Sequence, residues 1–423
     1  MKYTRKDLGA YKLHLINTDK FKTIMIRVSF RSPIIKETIT MRNILSNMFM
    51  QSSKKYNSKR ALTIKAQDLY AADLQTSNTR LGNYINTDFY LSVLNDKYTE
   101  EGNFKDAIEF LGEIIFNPDV EDEKFDEEKL DIVKTTCRSA LESIKENTSN
   151  YCLIKMFELF DKDSPCSYRM MGYLEDLDKI NTENLYEHYL DMLKSDLVDI
   201  FVIGEINEDE VTKLIKENMN INTLKKQKVP YLLEEKDARS KVLSDSEEIE
   251  GSQSKLSMAF RVNGLSDYER NYPLSLFNVI FGGSSDSKLF KVVREENSLC
   301  YTIRSIPNKL DNLILVRAGI DKDSYEKCVS LVKKCLDDMC KGEFTDRDLN
   351  MAKEYYNTAL EELEESEYKI INNYLMTELI GTDTIEEKRE KMNKVTKEEI
   401  VEVAKKVSLD TIFLLEGVKN ERN

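Results

Sequence analysis

The chain has 423 residues, with 62 Lys and Arg against 76 Asp and Glu for a formal net charge of −14, and 41% of its residues are hydrophobic. That length holds roughly two to four ordinary domains with buried cores and excludes a small stapled scaffold. An acidic chain is repelled by a phosphate backbone unless its basic residues share a face, and only Lys54, Lys55, Lys59 and Arg60 cluster in sequence, so no nucleic-acid partner is expected.

From the N-terminus, Met1 to Asp7 leads into no apolar segment of signal-peptide type. No apolar run of roughly 18 residues follows anywhere, so no membrane partner is expected and the chain reads as cytoplasmic. Tyr11 to Leu15 alternates like a strand and carries His14. Ile26 to Arg31 and Phe89 to Leu94 also read as strands, and an apolar helix-like stretch closes at Met48-Phe49. The acidic run Glu121 to Glu128 lacks oxygen-ligand spacing and a turn glycine, so it reads as a solvated helix start rather than a cation site. Leu130, Val133, Cys137, Leu141 and Ile144, spaced by three or four, predict a helix over 126–146. His188 falls in the helical stretch Leu185 to Tyr189 with aromatic neighbours.

His14 and His188 are the only two histidines, which limits catalysis severely. Zinc hydrolases commonly use two His and a carboxylate, and Ser or Cys triads need a His base. Neither residue has a catalytic companion nearby in sequence, and both are read as structural.

Past a polar connector from Asn222 to Ser240, with Pro230 inside it, strands return at Leu256 to Arg261 and at Ile412 to Gly417. Gly282 to Lys288 looks like a phosphate loop but lacks the G-x(4)-G-K-[ST] spacing. Tyr325, Cys328, Val332, Cys335 and Met339 define one helical face, so these cysteines read as core. Seven cysteines without a C-x-x-C pair fit a reduced compartment.

The chain also repeats itself. Ile26 to Arg31 resembles Leu256 to Arg261, Met48-Phe49 matches Ile280-Phe281, and Leu69 to Ala72 answers Leu299 to Thr302, each at an offset of about 230. Lys179 to Leu185 echoes Lys394 to Ile400, and each is followed by an apolar strand with glycine at its end, Ile200 to Gly204 and Ile412 to Gly417. Five matches in one order imply two homologous halves: an N-terminal domain over 1–222, a linker over 223–241 and a C-terminal domain over 242–423. Grouped strands with long helices make each half α+β, a sheet with helices packed on one face.

Phe281-Gly282-Gly283, Ser287-Lys288-Leu289-Phe290 and the run from Val293 through Arg294 and Glu295 to Tyr301 resemble a G-G-x(3)-S-x-L-[FY]-x(3)-R-E-x(3)-L-x-Y pattern. It is the pattern of the pitrilysin/insulinase-type zinc peptidases, or inverzincins. Gly172 to Leu177 and the strand ending at Gly204 support the resemblance, which covers nearly the whole chain. Within that family the chain is similar to Firmicute insulinase-like proteins associated with elongation factor P 5-aminopentanol modification. The resemblance implies two mainly antiparallel sheets of mitochondrial-processing-peptidase or LuxS-metallohydrolase type, arranged as a clamshell around a cleft.

Active relatives bind zinc through H-x-x-E-H on a first-half helix, because residues at i and i+4 share a face and the Glu reaches the bound water. Aligned through Met48-Phe49, these positions are Asn43, Ser46 and Asn47, so the motif is degenerate. A third ligand would fall near Thr135 or Thr136, with Glu142 as the rival alignment. No metal is expected in this chain, and zinc is expected only in a partner subunit.

The resemblance implies a different fate for Arg294 and Tyr301, which stand where the family keeps an Arg and a Tyr that contact substrate, the Tyr donating to a developing oxyanion. Read from the residues alone, Arg294 could instead pair with Glu295, Glu296 or another carboxylate, and Tyr301 could be a half-buried strand residue. The implied function is a non-catalytic pseudoenzyme subunit, inactive alone, that lends Arg294 and Tyr301 in trans to an H-x-x-E-H-bearing homologous subunit acting on unfolded peptide. The alternatives are a self-dimer and a structural or peptide-binding scaffold without hydrolysis, comparable to the core subunits of the bc1 complex.

Overall fold

A computed structural model describes residues 1–222 and 228–418. Strands come first: β1 (Lys2–Asp7), β2 (Lys12–Asn17) and β3 (Thr23–Pro33). Helices α1 (Ile39–Met48) and α2 (Lys59–Asp68) lead to β4 (Asp73–Leu81) and β5 (Tyr84–Leu94). Then follow α3 (Asn103–Phe116), the small hairpin β6 (Val120–Glu121) and β7 (Lys124–Phe125), α4 (Glu127–Glu142) and α5 (Thr148–Asp161). The first half closes with α6 (Leu174–Leu177), α7 (Thr182–Ser195), β8 (Leu197–Gly204) and α8 (Glu208–Asn218).

The second half begins with β9 (Leu243–Glu250) and β10 (Ser254–Val262), then α9 (Asp267–Asn271) and α10 (Pro273–Asn278). Two π-wound segments, Val279–Gly283 and Phe290–Glu296, precede β11 (Cys300–Asn308) and β12 (Leu313–Ile320). Helices α11 (Tyr325–Cys340), α12 (Asp346–Leu363), α13 (Glu367–Ile380), α14 (Ile385–Lys394) and α15 (Lys397–Lys405) lead to β13 (Val407–Val418).

Two compact units result. The first comprises Met1–Ser143, Tyr168–Pro230 and Glu367–Asn372, and the second Ile144–Ser167, Tyr231–Ser366 and Asn373–Asn423. Relative to a division at the 223–241 linker, the units exchange two segments. Residues 223–227 of that linker lie outside the described residues. Val229 and Pro230 stay with the first unit, where the Val229 N–H donates to the Tyr84 hydroxyl (2.7 Å) and the Asn83 amide donates to the Pro230 carbonyl (2.9 Å). Arg239 stays with the second unit, held by the buried carboxylate of Asp410 together with Arg261.

In the first unit the sheet order is β1-β2-β8-β3-β5-β4, antiparallel except for the β2/β8 pair. Alternate residues Leu13 and Leu15, Ile24 to Phe30 and Phe89 to Val93 turn to one face, as the period of two requires, and pack under α1, α3, α4, α7 and α8. The other face is also buried but polar: Arg27 donates to Asp88 from Nε (3.0 Å) and Nη2 (2.9 Å). His14 accompanies it, with Nε2 3.0 Å from Asp199 and Nδ1 2.7 Å from the Tyr3 hydroxyl. Burial by itself raises the Asp199 carboxyl, but the His14 hydrogen bond and the Arg31 charge outweigh it, so the carboxyl sits below the usual range.

The second sheet runs β11-β12-β10-β13-β9, antiparallel except for β13/β9. Its order matches β4-β5-β3-β8-β2, strand for strand, which is the architectural form of the repeated sequence segments. One face buries Leu256, Met258, Phe260, Val316 and Ile412 beneath α10, α11 and α15. Contrary to a layer of helices on one face alone, part of the opposite face is covered too, by α5. Tyr151, Cys152, Met156 and Phe160 of this first-half helix pack on Ala259, Leu313, Leu315, Phe413 and Leu415. The Cys152 thiol donates to the Lys255 carbonyl at 3.2 Å, and burial pushes that thiol's pKa up.

Candidate functional site

Helix α1 exists because Ile39, Ile44, Leu45 and Met48 give it one buried face, and Arg42 fixes it by pairing with the buried Asp196 at 2.5 Å. Asn43, Ser46 and Asn47, which the sequence resemblance aligns with a zinc motif, lie on this helix. The Asn43 amide donates to the Met171 carbonyl (3.0 Å) and approaches the Cys137 sulfur of α4 (3.6 Å). Ser46, buried, donates to the Asn43 carbonyl (3.0 Å) and accepts from the Asn78 amide (2.8 Å). Asn47, exposed, donates to the same carbonyl (2.8 Å).

This donor set does not fit zinc. The Asn43 and Asn47 amides are committed as donors, and neither offers the lone pair of an imidazole. A Ser hydroxyl cannot serve as a base for water at neutral pH. On α4 the residue that faces Asn43 is Cys137, whereas Thr135 and Thr136 are exposed. Burial raises the Cys137 thiol above its ordinary pKa, against the opposing Asn43 hydrogen bond, so it stays protonated rather than offering a thiolate. Among the described residues, no group of three or more His, Cys, Asp or Glu side chains converges as a metal site.

Arg294 and Tyr301 flank one turn in the second unit. Leu289 and Val293, both fully buried, anchor the segment Phe290–Glu296 and leave Arg294 exposed, its guanidinium stacked 4.5 Å from the Phe290 ring centroid. The turn is closed by the Ser298 N–H donating to the Arg294 carbonyl (3.0 Å) and the Leu299 N–H to the Val293 carbonyl (3.1 Å). Ser298 takes the left-handed conformation, φ 52°, to reverse the chain. Cys300 then points inward and pairs with Ile320, Thr302 pairs with Gly319, and Tyr301 is left over as a β-bulge. Bulges re-aim side chains, and here the phenol is 65% exposed. Among the described residues, no hydrogen bond or ion pair engages the Arg294 guanidinium or the Tyr301 hydroxyl, and Glu295 and Glu296 do not pair with Arg294. The turn before β4 also carries positive φ, at Tyr70 and Ala71 (57° and 59°).

The remaining sequence features take structural places. His14 is wholly buried in β2, and His188 on α7 is pushed down to about pKa 4 by burial and then by the Arg42 charge, so it is neutral near pH 7. The run Glu121 to Glu128 forms the β6/β7 hairpin, with Asp122 and Glu123 in its turn, before Asp126 caps α4 through the Lys129 N–H at 2.8 Å. Beyond Gly282-Gly283, Lys288 and Lys291 each lie 3.8 Å from a carboxylate, Asp338 and Asp348, so this loop has its cations neutralised. Sequence reading missed three basic residues that share a cavity with Arg294: Lys255, Arg304 and Arg317. They lie in three strands, and their only local signal is the alternation of Thr302 and Arg304 in β11.

Residues 179–356 match the family described as the peptidase M16 inactive domain. The chain is 26% identical over 420 residues to the probable inactive metalloprotease YmfF of Bacillus subtilis (strain 168), covering 97% of each chain. A conserved protein from Enterococcus faecalis V583 superposes with a TM-score of 0.92 at 28% identity over the full length of both chains. A peptidase M16 inactive domain from Pseudomonas fluorescens gives 0.80 at 15% identity, again over both full chains. Among the described residues no helix is long and apolar enough to cross a membrane. The two sheets of matching strand order agree with these likenesses: the chain is similar to the peptidase M16 inactive domain over residues 179–356, and its sequence contains no H-x-x-E-H motif.

Proposed function

We propose that this chain is the non-catalytic subunit of a heterodimeric zinc-peptidase-like complex, lending Arg294 and Tyr301 to the zinc site of an H-x-x-E-H-bearing partner. The observation that carries the reading is the state of this pair: an arginine stacked on Phe290 and a phenol turned outward by a bulge, neither with a hydrogen bond or ion pair among the described residues. A side chain kept exposed and unpaired is available to another molecule, and a hydroxyl fixed on a strand is a preorganised donor for an oxyanion. The substrate class is unfolded peptide, and zinc would enter only with the partner. Seven free thiols accord with a reduced, cytoplasmic setting, and the link to elongation factor P 5-aminopentanol modification is part of the same proposal.

The second reading, a peptide-binding scaffold with no hydrolysis, is favoured by the degenerate motif in α1. Co-purification from native extract with this chain as bait separates the two. Recovery of an H-x-x-E-H-bearing chain with zinc and peptide hydrolysis supports the split site. Recovery of a metal-free, inert self-dimer or unrelated complex supports the scaffold.

A further inference from the structure

A cavity of about 430 Å³ in the second unit is lined by four basic side chains, Lys255, Arg294, Arg304 and Arg317, and by no carboxylate. The four come from three strands and the segment before β11, and the register brings them to one face. Leu256, Met258 and Val316 face the helical core, so Lys255 and Arg317, one residue away, face the other side. Arg304 stands directly opposite Arg317 in the β11/β12 ladder. Like charges so placed repel one another.

Among the described residues no ion pair relieves this repulsion: none of the four has a carboxylate within ion-pair distance, in a chain with 76 acidic residues. Lys255 is hydrogen-bonded to Gln253, and Arg317 donates to the carbonyl and hydroxyl of Ser149 (2.6 and 2.9 Å). Ser149 lies in the first turn of α5, where the helix dipole adds further positive potential. Burial, then the charge of Arg304, holds Arg317 below its ordinary pKa. Such a cluster is stabilised by an anion from outside.

We propose that this cavity binds the carboxylate of an extended peptide, either an acidic side chain or the chain's C-terminus. Planar guanidinium forks match a carboxylate with two parallel hydrogen bonds. The lining backbone of β12 is committed to the sheet on both sides and forms no glycine-rich nest, so a phosphate would lack the backbone N–H cradle it commonly uses. β11 is the edge strand of its sheet, an edge onto which an extended peptide can align. Arg294 belongs also to the proposed trans site, so the inference names the peptide class for that site. It is tested without a partner or hydrolysis, and its failure is therefore distinct from failure of the split-site reading.

The test is fluorescence anisotropy on the purified full chain with three labelled ten-residue peptides. One carries a central Glu and an amidated C-terminus, one carries Gln and a free C-terminus, and one is neutral at both places. At least one acidic probe should bind roughly tenfold or more tightly than the neutral one, the scale of a single charge-assisted hydrogen bond. Whichever acidic probe is preferred identifies the source of the carboxylate. Arg304→Gln should abolish that preference while leaving thermal stability unchanged or raised, because it relieves the repulsion with Arg317, and Lys255→Gln provides a second variant. Equal or absent binding of all three probes, an unaltered preference in both variants, or displacement of the probe by equimolar inorganic phosphate overturns the proposal.

Discussion

The Asn43 amide nitrogen lies 3.6 Å from the Cys137 sulfur, joining α1 to α4. The same amide is held by the Met171 carbonyl, and Ser46 and Asn47 both donate to the Asn43 backbone. The three positions are joined in a closed set of internal hydrogen bonds.

Metal content follows from that geometry. Purified and dialysed, the chain should carry no stoichiometric zinc by plasma mass spectrometry and show no chelator-sensitive peptidase activity. About one zinc per chain would refute this account of α1.

Tyr301→Phe separates function from stability. The hydroxyl has no hydrogen-bond partner among the described residues, so the melting temperature should shift by no more than the equivalent of about 0.5 kcal/mol. In the complex with an H-x-x-E-H-bearing partner, hydrolysis should fall by roughly 10²–10³, the usual effect of removing one oxyanion donor. An unchanged rate removes Tyr301 from the mechanism.

The placement of α5 is testable through Met156, which is fully buried against the second sheet. Met156→Ala leaves a cavity in a contact between chain segments distant in sequence, and denaturant unfolding should register a loss of about 2–5 kcal/mol. A loss below 1 kcal/mol, as at an exposed helix, would contradict the packing.

His188 gives a pH dependence of definite sign. Its pKa is about 4 in the folded chain against 6.5 when free, so the folded state binds fewer protons between these values. The contribution to stability is complete above about pH 6.5 and is lost as the pH falls toward 4, by at most about 3 kcal/mol. His188→Gln should flatten the loss in this window relative to the parent chain in denaturant titrations at successive pH values. Parallel curves for the two proteins would show that His188 does not titrate there.

The sequence by itself determined a good deal. Periodicity marked β3, α4 and α11, because a strand repeats every two residues and a helix every 3.6, and a buried face imprints that period on the chain. The repeat implied two homologous halves, and the structure adds that five strands of each sheet follow one order. Absence of chemistry at the zinc motif was legible too: with only two histidines, none at residues 43 or 47, no register could restore H-x-x-E-H.

Tertiary structure alone decided the rest, for a physical reason common to every case. Contacts between residues far apart in sequence carry no local period. That α5 serves the second sheet follows from Met156 meeting Phe413 and Leu415, more than half the chain away. That Cys137, rather than Thr135 or Thr136, faces Asn43 depends on the rotation of α4 against α1. Tyr301 points outward because one residue bulges from β11, a shift that reverses side-chain direction without altering composition. Lys255, Arg304 and Arg317 look like ordinary solvated charges in the sequence. Strand register, which brings each to the same face, makes them one unneutralised cluster.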